Sequence, residues 1–276
     1  MYTRHICVSA NEVIADYSPE NAGLCHMLSE LDELSAAEGR KAIAFSQING
    51  NRRFTAGDHC GFVCFTDGTL LEILPHTDGT VTDARKVLCA EFCRRCGYEF
   101  KPSGLKPDMN FLEYFISVFA NETMKIIKSG VLSAYASREE NMTSVHGTIL
   151  FSENIRRNLV HRERIYVRHD VFTPDRAENR IIKAAAKKLQ KLTTDPHSSH
   201  HLNEALSFLD EVRLPHDVTA EFSRCINTRN TKKYSTILNI CRMLFDKNEG
   251  TAFFGKYILC AQFFKTSEPA GDVPQE

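Results

Sequence analysis

Phe172-Thr-Pro-Asp-Arg-Ala-Glu-Asn-Arg-Ile-Ile-Lys183 is the stretch where the chain turns from strand to helix. Asp175 stands three residues before Glu178, the spacing of a capping box, in which each side chain answers a backbone N–H that the first helical turn leaves unpaired. Behind it Ile181, Ile182, Ala185, Ala186 and Leu189 recur at helical spacing, with Lys183, Lys187, Lys188 and Lys191 on the remaining face. A helix is expected over 175–192. Upstream, residues 144–151 and 162–172 carry the β-branched and aromatic enrichment of strands, and 152–159 between them suits a short helix opened by a serine cap. The expected order is strand, short helix, strand, long helix.

Working outward from this centre, residues 111–128 read as a helix with Phe111, Phe115, Val118, Phe119 and Ile126 on its buried side, stopped near Gly130. Lys101-Pro-Ser-Gly-Leu-Lys-Pro-Asp108 before it has the composition of a linker, and a domain boundary is expected there. On the N-terminal side, a strand is expected over 2–9, an amphipathic helix over 22–34 and a helix over 84–96. Between the helices, 42–46, 62–65 and 70–74 read as short strands. Thr66-Asp-Gly-Thr69 carries a tight-turn signal, and Asn49-Gly-Asn-Arg-Arg53 looks like an exposed basic hairpin tip. Towards the C-terminus, helices are expected over 201–212 and 231–246, an apolar run over 253–264 and a disordered tail over 265–276. The fold class is α+β: a β-rich unit over 1–100 with an acidic helix, then a mainly helical unit over 108–264 that carries a hairpin-like strand pair.

The 276 residues are 42% hydrophobic, enough for one large core or two ordinary ones. Net charge is -1 with a pI near 6.8, so whole-chain charge marks no polyanionic or polycationic partner. Its distribution is uneven. Between Arg4 and Arg40 there is no Lys or Arg, whereas 156–191 gathers Arg156, Arg157, Arg164, Lys187 and seven further cations. That run could contact phosphates, although cations on amphipathic helices commonly form a solvated face. No secretory leader and no apolar run of membrane-spanning length is read, and the ten cysteines sit within apolar runs, so a cytoplasmic protein is expected.

Several patterns offer chemistry. Cys89, Cys93 and Cys96 have the spacing of an iron–sulfur triad, but they fall at i, i+4 and i+7 of a helical pattern with Leu88 and Phe92, which a buried stripe explains. His197-Ser-Ser-His200-His201 follows Asp195-Pro196 in what reads as a polar loop between helices. Asp175, Glu178 and Lys183 lie along a helix start rather than converging from strands on a divalent ion, so they are read as structural. No phosphate-cradling loop of the Gly-x-x-x-x-Gly-Lys-Ser/Thr type is present. No catalytic or metal-binding residue is assigned.

The order of a hydrophobic helix, Gly130-Val-Leu-Ser-Ala-Tyr135, His146-Gly-Thr-Ile149, a run with Arg157, and Asp175 with Glu178-Asn-Arg-Ile181 resembles the McrC family, the partner subunit of modification-dependent McrBC restriction systems. Cys60-Gly-Phe-Val-Cys-Phe65 with Leu71-Glu-Ile-Leu-Pro75 looks like the family's paired strands ending in Ile-x-Pro-Lys, with His76 in place of the lysine. The resemblance implies an accessory subunit that docks through its β-rich portion into a ring of AAA+ GTPase partners and stimulates hydrolysis. The GTP and magnesium would then belong to the partner. On the hairpin reading, Arg52, Arg53 and Asp67 would touch that ring, while Arg156, Arg157, Arg164 and Lys187 would touch DNA. The family's C-terminal PD-(D/E)xK nuclease is not readable here, so an activator without catalytic activity in this chain is expected, the nuclease being naturally absent, truncated or on another polypeptide. The alternatives are a DNA-binding module acting through 156–191 and the remnant of an endonuclease subunit.

Overall fold

The computed structural model describes residues 2–37, 39, 41–48, 51–226, 228–245 and 255–265. Asn49 and Gly50 of the expected hairpin tip, residues 253–254 of the apolar run and the tail 266–276 lie outside the described residues.

The fold is α+β and is built around one sheet. Strands β1 (Arg4–Ser9), β5 (His59–Phe65), β6 (Thr69–Leu74) and β10 (Ile258–Lys265) form it in the order β1-β6-β5-β10, with β1 parallel to β6 and the other pairs antiparallel. A second sheet, β2-β4-β3, comprises β2 (Val13–Asp16), β3 (Ile43–Ile48) and β4 (Asn51–Ala56). Helix α1 (Ala22–Ala37) and this second sheet cover one face of the first, enclosing Leu28, Leu31, Phe54, Val63, Phe65, Leu71 and Phe263. The opposite face, with Cys60, Phe62, Leu70, Leu74 and Phe264, packs on α2 (Val81–Cys96) and α3 (Phe111–Lys128). Covered on both sides, β5 and β6 are buried nearly throughout, which is why they read as continuous apolar runs rather than alternating ones.

Helix α3 is buried on all but one polar edge, along Ser117, Asn121, Lys125 and Lys128. It packs against α2, α5 (Ala177–Gln190), α6 (Pro196–Phe208) and α8 (Ser235–Phe245), while short α7 (Val218–Phe222) packs on α5. The expected boundary at 101–108 does not divide this packing. Phe62, Phe92, Phe111, Phe115 and Phe264 meet ring to ring with centroids 5.1–6.1 Å apart, joining both supposed units and the last strand in one core. Strand β10 returns to the N-terminal sheet, so Lys265 ends a strand instead of opening a tail. At Gly61 a Cβ would lie 1.8 Å from the Gln262 carbonyl, and that close approach of β10 to β5 requires glycine.

Three local expectations are corrected. The capping box forms at α2, where Thr80 and Asp83 exchange hydrogen bonds, and not at α5, whose N-cap residue is Arg176. Asp175 is held instead by Arg180 Nε at 2.7 Å and by Arg213, and these hydrogen bonds keep its carboxyl well below the usual carboxylate range. The 197–201 histidines lie in α6, because Asp195 caps the helix by accepting from Ser198 N–H and Pro196 fills its first turn. The strand pair is a three-stranded sheet, β7-β9-β8, comprising β7 (Ala134–Met142), β8 (Thr148–Ile149) and β9 (Ile165–Thr173), with α4 (Phe151–Asn158) between the last two. Among the described residues no helix is long and apolar enough to cross a membrane.

Candidate partner-docking and nucleic-acid surfaces

The β7-β9-β8 sheet and α4 form an arm whose packing is chiefly its own. Its β7–β9 ladder runs unbroken from Ala134 opposite Thr173 to Met142 opposite Ile165. Gly147 has φ +78°, and a Cβ there would sit 2.3 Å from the Arg168 carbonyl, so the His-Gly-Thr-Ile motif needs its glycine to bring β8 onto β9.

Both feet of the arm are clamped by Asn179, which is fully buried on α5. Its amide donates to the carbonyls of Leu132 before β7 (2.9 Å) and Pro174 after β9 (2.7 Å). Its Oδ1 accepts from the Tyr234 hydroxyl at 3.0 Å, and that hydroxyl accepts from Leu132 N–H at 2.9 Å. The Glu178-Asn-Arg-Ile run thus sets the arm's position relative to the body.

Helix α4 turns its amides inward and its apolar side chains outward. Asn154 Oδ1 accepts from Tyr166 N–H at 2.9 Å and from Asn158 Nδ2 at 2.7 Å, while Asn158 and Asn141 pair reciprocally at 2.7 and 2.8 Å. Phe151 (70% exposed), Ile155 (66%) and Leu159 (73%) are left facing solvent. Nearer the feet, Tyr135 and Phe172 stack at 5.2 Å and are also exposed. An exposed apolar row along one side of a helix is a candidate interaction surface. Its signal in the sequence was the i, i+4, i+8 spacing of Phe151, Ile155 and Leu159, which reads as a core stripe until the amides are seen to take the inward side.

The residues expected to touch a partner ring lie on two different sheets. Arg52 and Arg53 lie within β4. Arg52 is exposed, with its guanidinium carbon 6.0 Å from the Tyr17 ring centre, while Arg53 is half-buried opposite Asp16 and Ser46 in the ladder. Asp67 shapes the β5–β6 turn: its carboxylate accepts from Thr69 N–H at 2.7 Å and Thr69 Oγ1 at 2.8 Å. Three of the four expected DNA contacts lie beside carboxylates. Arg156 and Arg157 pair with Glu153 at 2.7 and 2.9 Å, and Arg164 lies 3.7 Å from Glu163. Lys187 is exposed on α5.

Cys89, Cys93 and Cys96 line the inward side of α2 as buried thiols. Burial pushes Cys93 up to about 11 and Cys96 up to about 12, and holds Cys89 well above the ordinary thiol range, so all three are protonated at neutral pH and act as core packing. No cluster of three or more His, Cys, Asp or Glu among the described residues could hold a metal ion.

A family model described as McrBC 5-methylcytosine restriction system component matches residues 54–267, most of the chain. Among solved structures, the chain is similar to one in the McrBC complex of Thermococcus gammatolerans, determined by cryo-EM. The TM-score is 0.68 at 17% identity, over 95% of this chain and 83% of that one. It is also similar to a chain in the half-complex from a tetradecameric assembly of Thermococcus gammatolerans McrB AAA+ hexamers with bound McrC. There the TM-score is 0.66 at 18% identity, over 87% of this chain and 64% of that one. No curated protein matches the chain.

Proposed function

The chain belongs to the McrBC 5-methylcytosine restriction system component family, and on that premise we propose that it is the McrC-like subunit of such a system, docking on an AAA+ GTPase ring and stimulating it. The neighbouring structures named for McrB AAA+ hexamers with bound McrC support that choice of partner. The observation that carries the docking half is the outward apolar side of α4 on a clamped arm. Phe151, Ile155 and Leu159 are largely exposed, and a rigid root presents them at low entropic cost. In this reading the arm replaces Arg52, Arg53 and Asp67 as the principal contact. The GTP and magnesium are the partner's, and the ten free cysteines suit a cytoplasmic site of action.

The test is the GTPase rate of the cognate AAA+ partner titrated with this chain. A saturable rise supports the reading; an unchanged rate with folded protein at saturation rejects it.

A further inference from the structure

The cations of 156–191 are largely engaged. Besides Arg156, Arg157 and Arg164, Arg168 holds Glu139, Arg176 holds Glu178, Arg180 holds Asp175, and Lys183 caps the carbonyls of Asp210 and Val212. A second set is placed differently. Residues 224–233 contain Arg224, Arg229, Lys232 and Lys233 and no Asp or Glu. There, beside the start of α5 and along α8, lies a cavity of about 650 Å³ lined by Arg229, Lys232 and Arg242 together with Ser235, Asn239 and Glu178.

The charge on this lining is one-sided. Glu178, 1% exposed, already accepts from both Arg176 Nε and Nη2 at 3.2 Å, so its charge is matched from outside the cavity. Arg242 is oriented by a 3.2 Å hydrogen bond to Asn239 Oδ1 and by the Phe222 ring 5.5 Å away, neither of which neutralises it. Arg229 and Lys232 stand exposed on a 3-10 turn, Arg229–Tyr234, whose start is fixed by reciprocal hydrogen bonds between Thr228 and Thr231. Three cations that line one open concavity from fixed elements give it the charge that an anion needs, and a run of phosphates would meet more than one of them.

We propose that this cavity is a phosphate-binding cleft that takes the backbone of a DNA strand. The inference does not depend on the partner-docking reading, because it concerns residues other than those of the arm and is tested without the ring. The experiment is fluorescence anisotropy of the full chain with labelled single-stranded and duplex 20-mers, between about 50 and 200 mM salt. Wild-type protein binds at low salt, and affinity falls steeply as salt rises. Arg229→Ala/Lys232→Ala weakens binding about 10-fold or more and lowers the salt slope by about 2, as loss of two phosphate contacts requires. Arg229→Lys/Lys232→Arg, which keeps the charge, retains most of the affinity. Arg156→Ala/Arg157→Ala, which lies outside the cavity lining, changes it less than about 2-fold. No binding at low salt, equal losses in the two alanine variants, or binding of free guanine nucleotide in place of DNA would each overturn the proposal.

Discussion

Asn179 decides how the arm leaves the body. Its side chain makes three hydrogen bonds at a fully buried position, two of them to main-chain carbonyls, of which that of Pro174 also accepts from Arg176 N–H. Truncation removes the amide donor from both, and its loss at the Leu132 carbonyl costs about 1–3 kcal/mol, partly offset where water can enter. Asn179→Ala is therefore expected to destabilise the arm's root by about 2 kcal/mol, and Tyr234→Phe by about 1 kcal/mol. Hydrogen exchange of the β7 and β9 amides should quicken in both variants while the amides of α3 keep their protection; unchanged arm exchange would show that the clamp is dispensable. Gln262 is the opposite case. It is fully buried beside Phe62 on β5, and neither amide atom has a hydrogen-bond partner among the described residues. Gln262→Met keeps the volume and removes the unmet polar atoms, so it should raise stability by about 1–2 kcal/mol in urea unfolding. A loss of stability would mean that the amide is satisfied by something the packing does not reveal.

At the scale of elements, Glu72 is the junction. Its fully buried carboxylate on β6 accepts from Arg85 of α2 through Nε and Nη2 and from the Phe111 N–H at the start of α3, and it lies 3.3 Å from His5 of β1. Burial alone would raise its pKa; the hydrogen bonds from His5, Arg85 and Phe111 outweigh that and hold it at about 2, below the ordinary 4.5. Because the folded value is the lower one, the stabilisation is complete above about pH 4.5 and is lost as pH falls toward 2, up to about 3 kcal/mol. Urea unfolding of wild type should show that loss between neutral pH and pH 3. Glu72→Gln, less stable at neutral pH, should show less of it, and an equal acid loss in both would remove Glu72 as its source. Some elements were legible from one sequence and others were not, for physical reasons. β5, β6 and α3 announce themselves because they are buried on nearly every side. β7 does not, since both of its faces are largely exposed and Arg138, Glu139 and Glu140 break any alternation. α6 hides behind histidines and serines that suggest a loop, although Asp195-Pro196 is a helix start.

The whole molecule is two cores sharing one sheet, with β10 closing the N-terminal sheet from the far end of the chain and an arm held out by α5. That closure is why a Pro/Gly-rich stretch at 101–108 could look like a boundary and yet be spanned by one aromatic cluster. Composition reports the local chain, whereas the cluster forms from residues some two hundred positions apart, Phe62 and Phe264 among them. The candidate docking side was hidden for the same reason: whether Ile155 and Leu159 face a core depends on where Asn154 and Asn158 point, which no spacing declares. Full burial of an exposed aliphatic side chain contributes about 1.5–3 kcal/mol, so placing charge at two of them should cost a docked complex at least about 100-fold in affinity. Both sites are exposed, and substitution there should leave the fold intact. The most direct measurement is the partner ring's GTPase rate against concentration of wild type, Ile155→Asp/Leu159→Asp and Arg52→Ala. Stimulation by wild type and by Arg52→Ala, with the half-maximal concentration of the arm variant raised about 100-fold, is the result expected. Stimulation by the arm variant at wild-type concentrations would contradict the account.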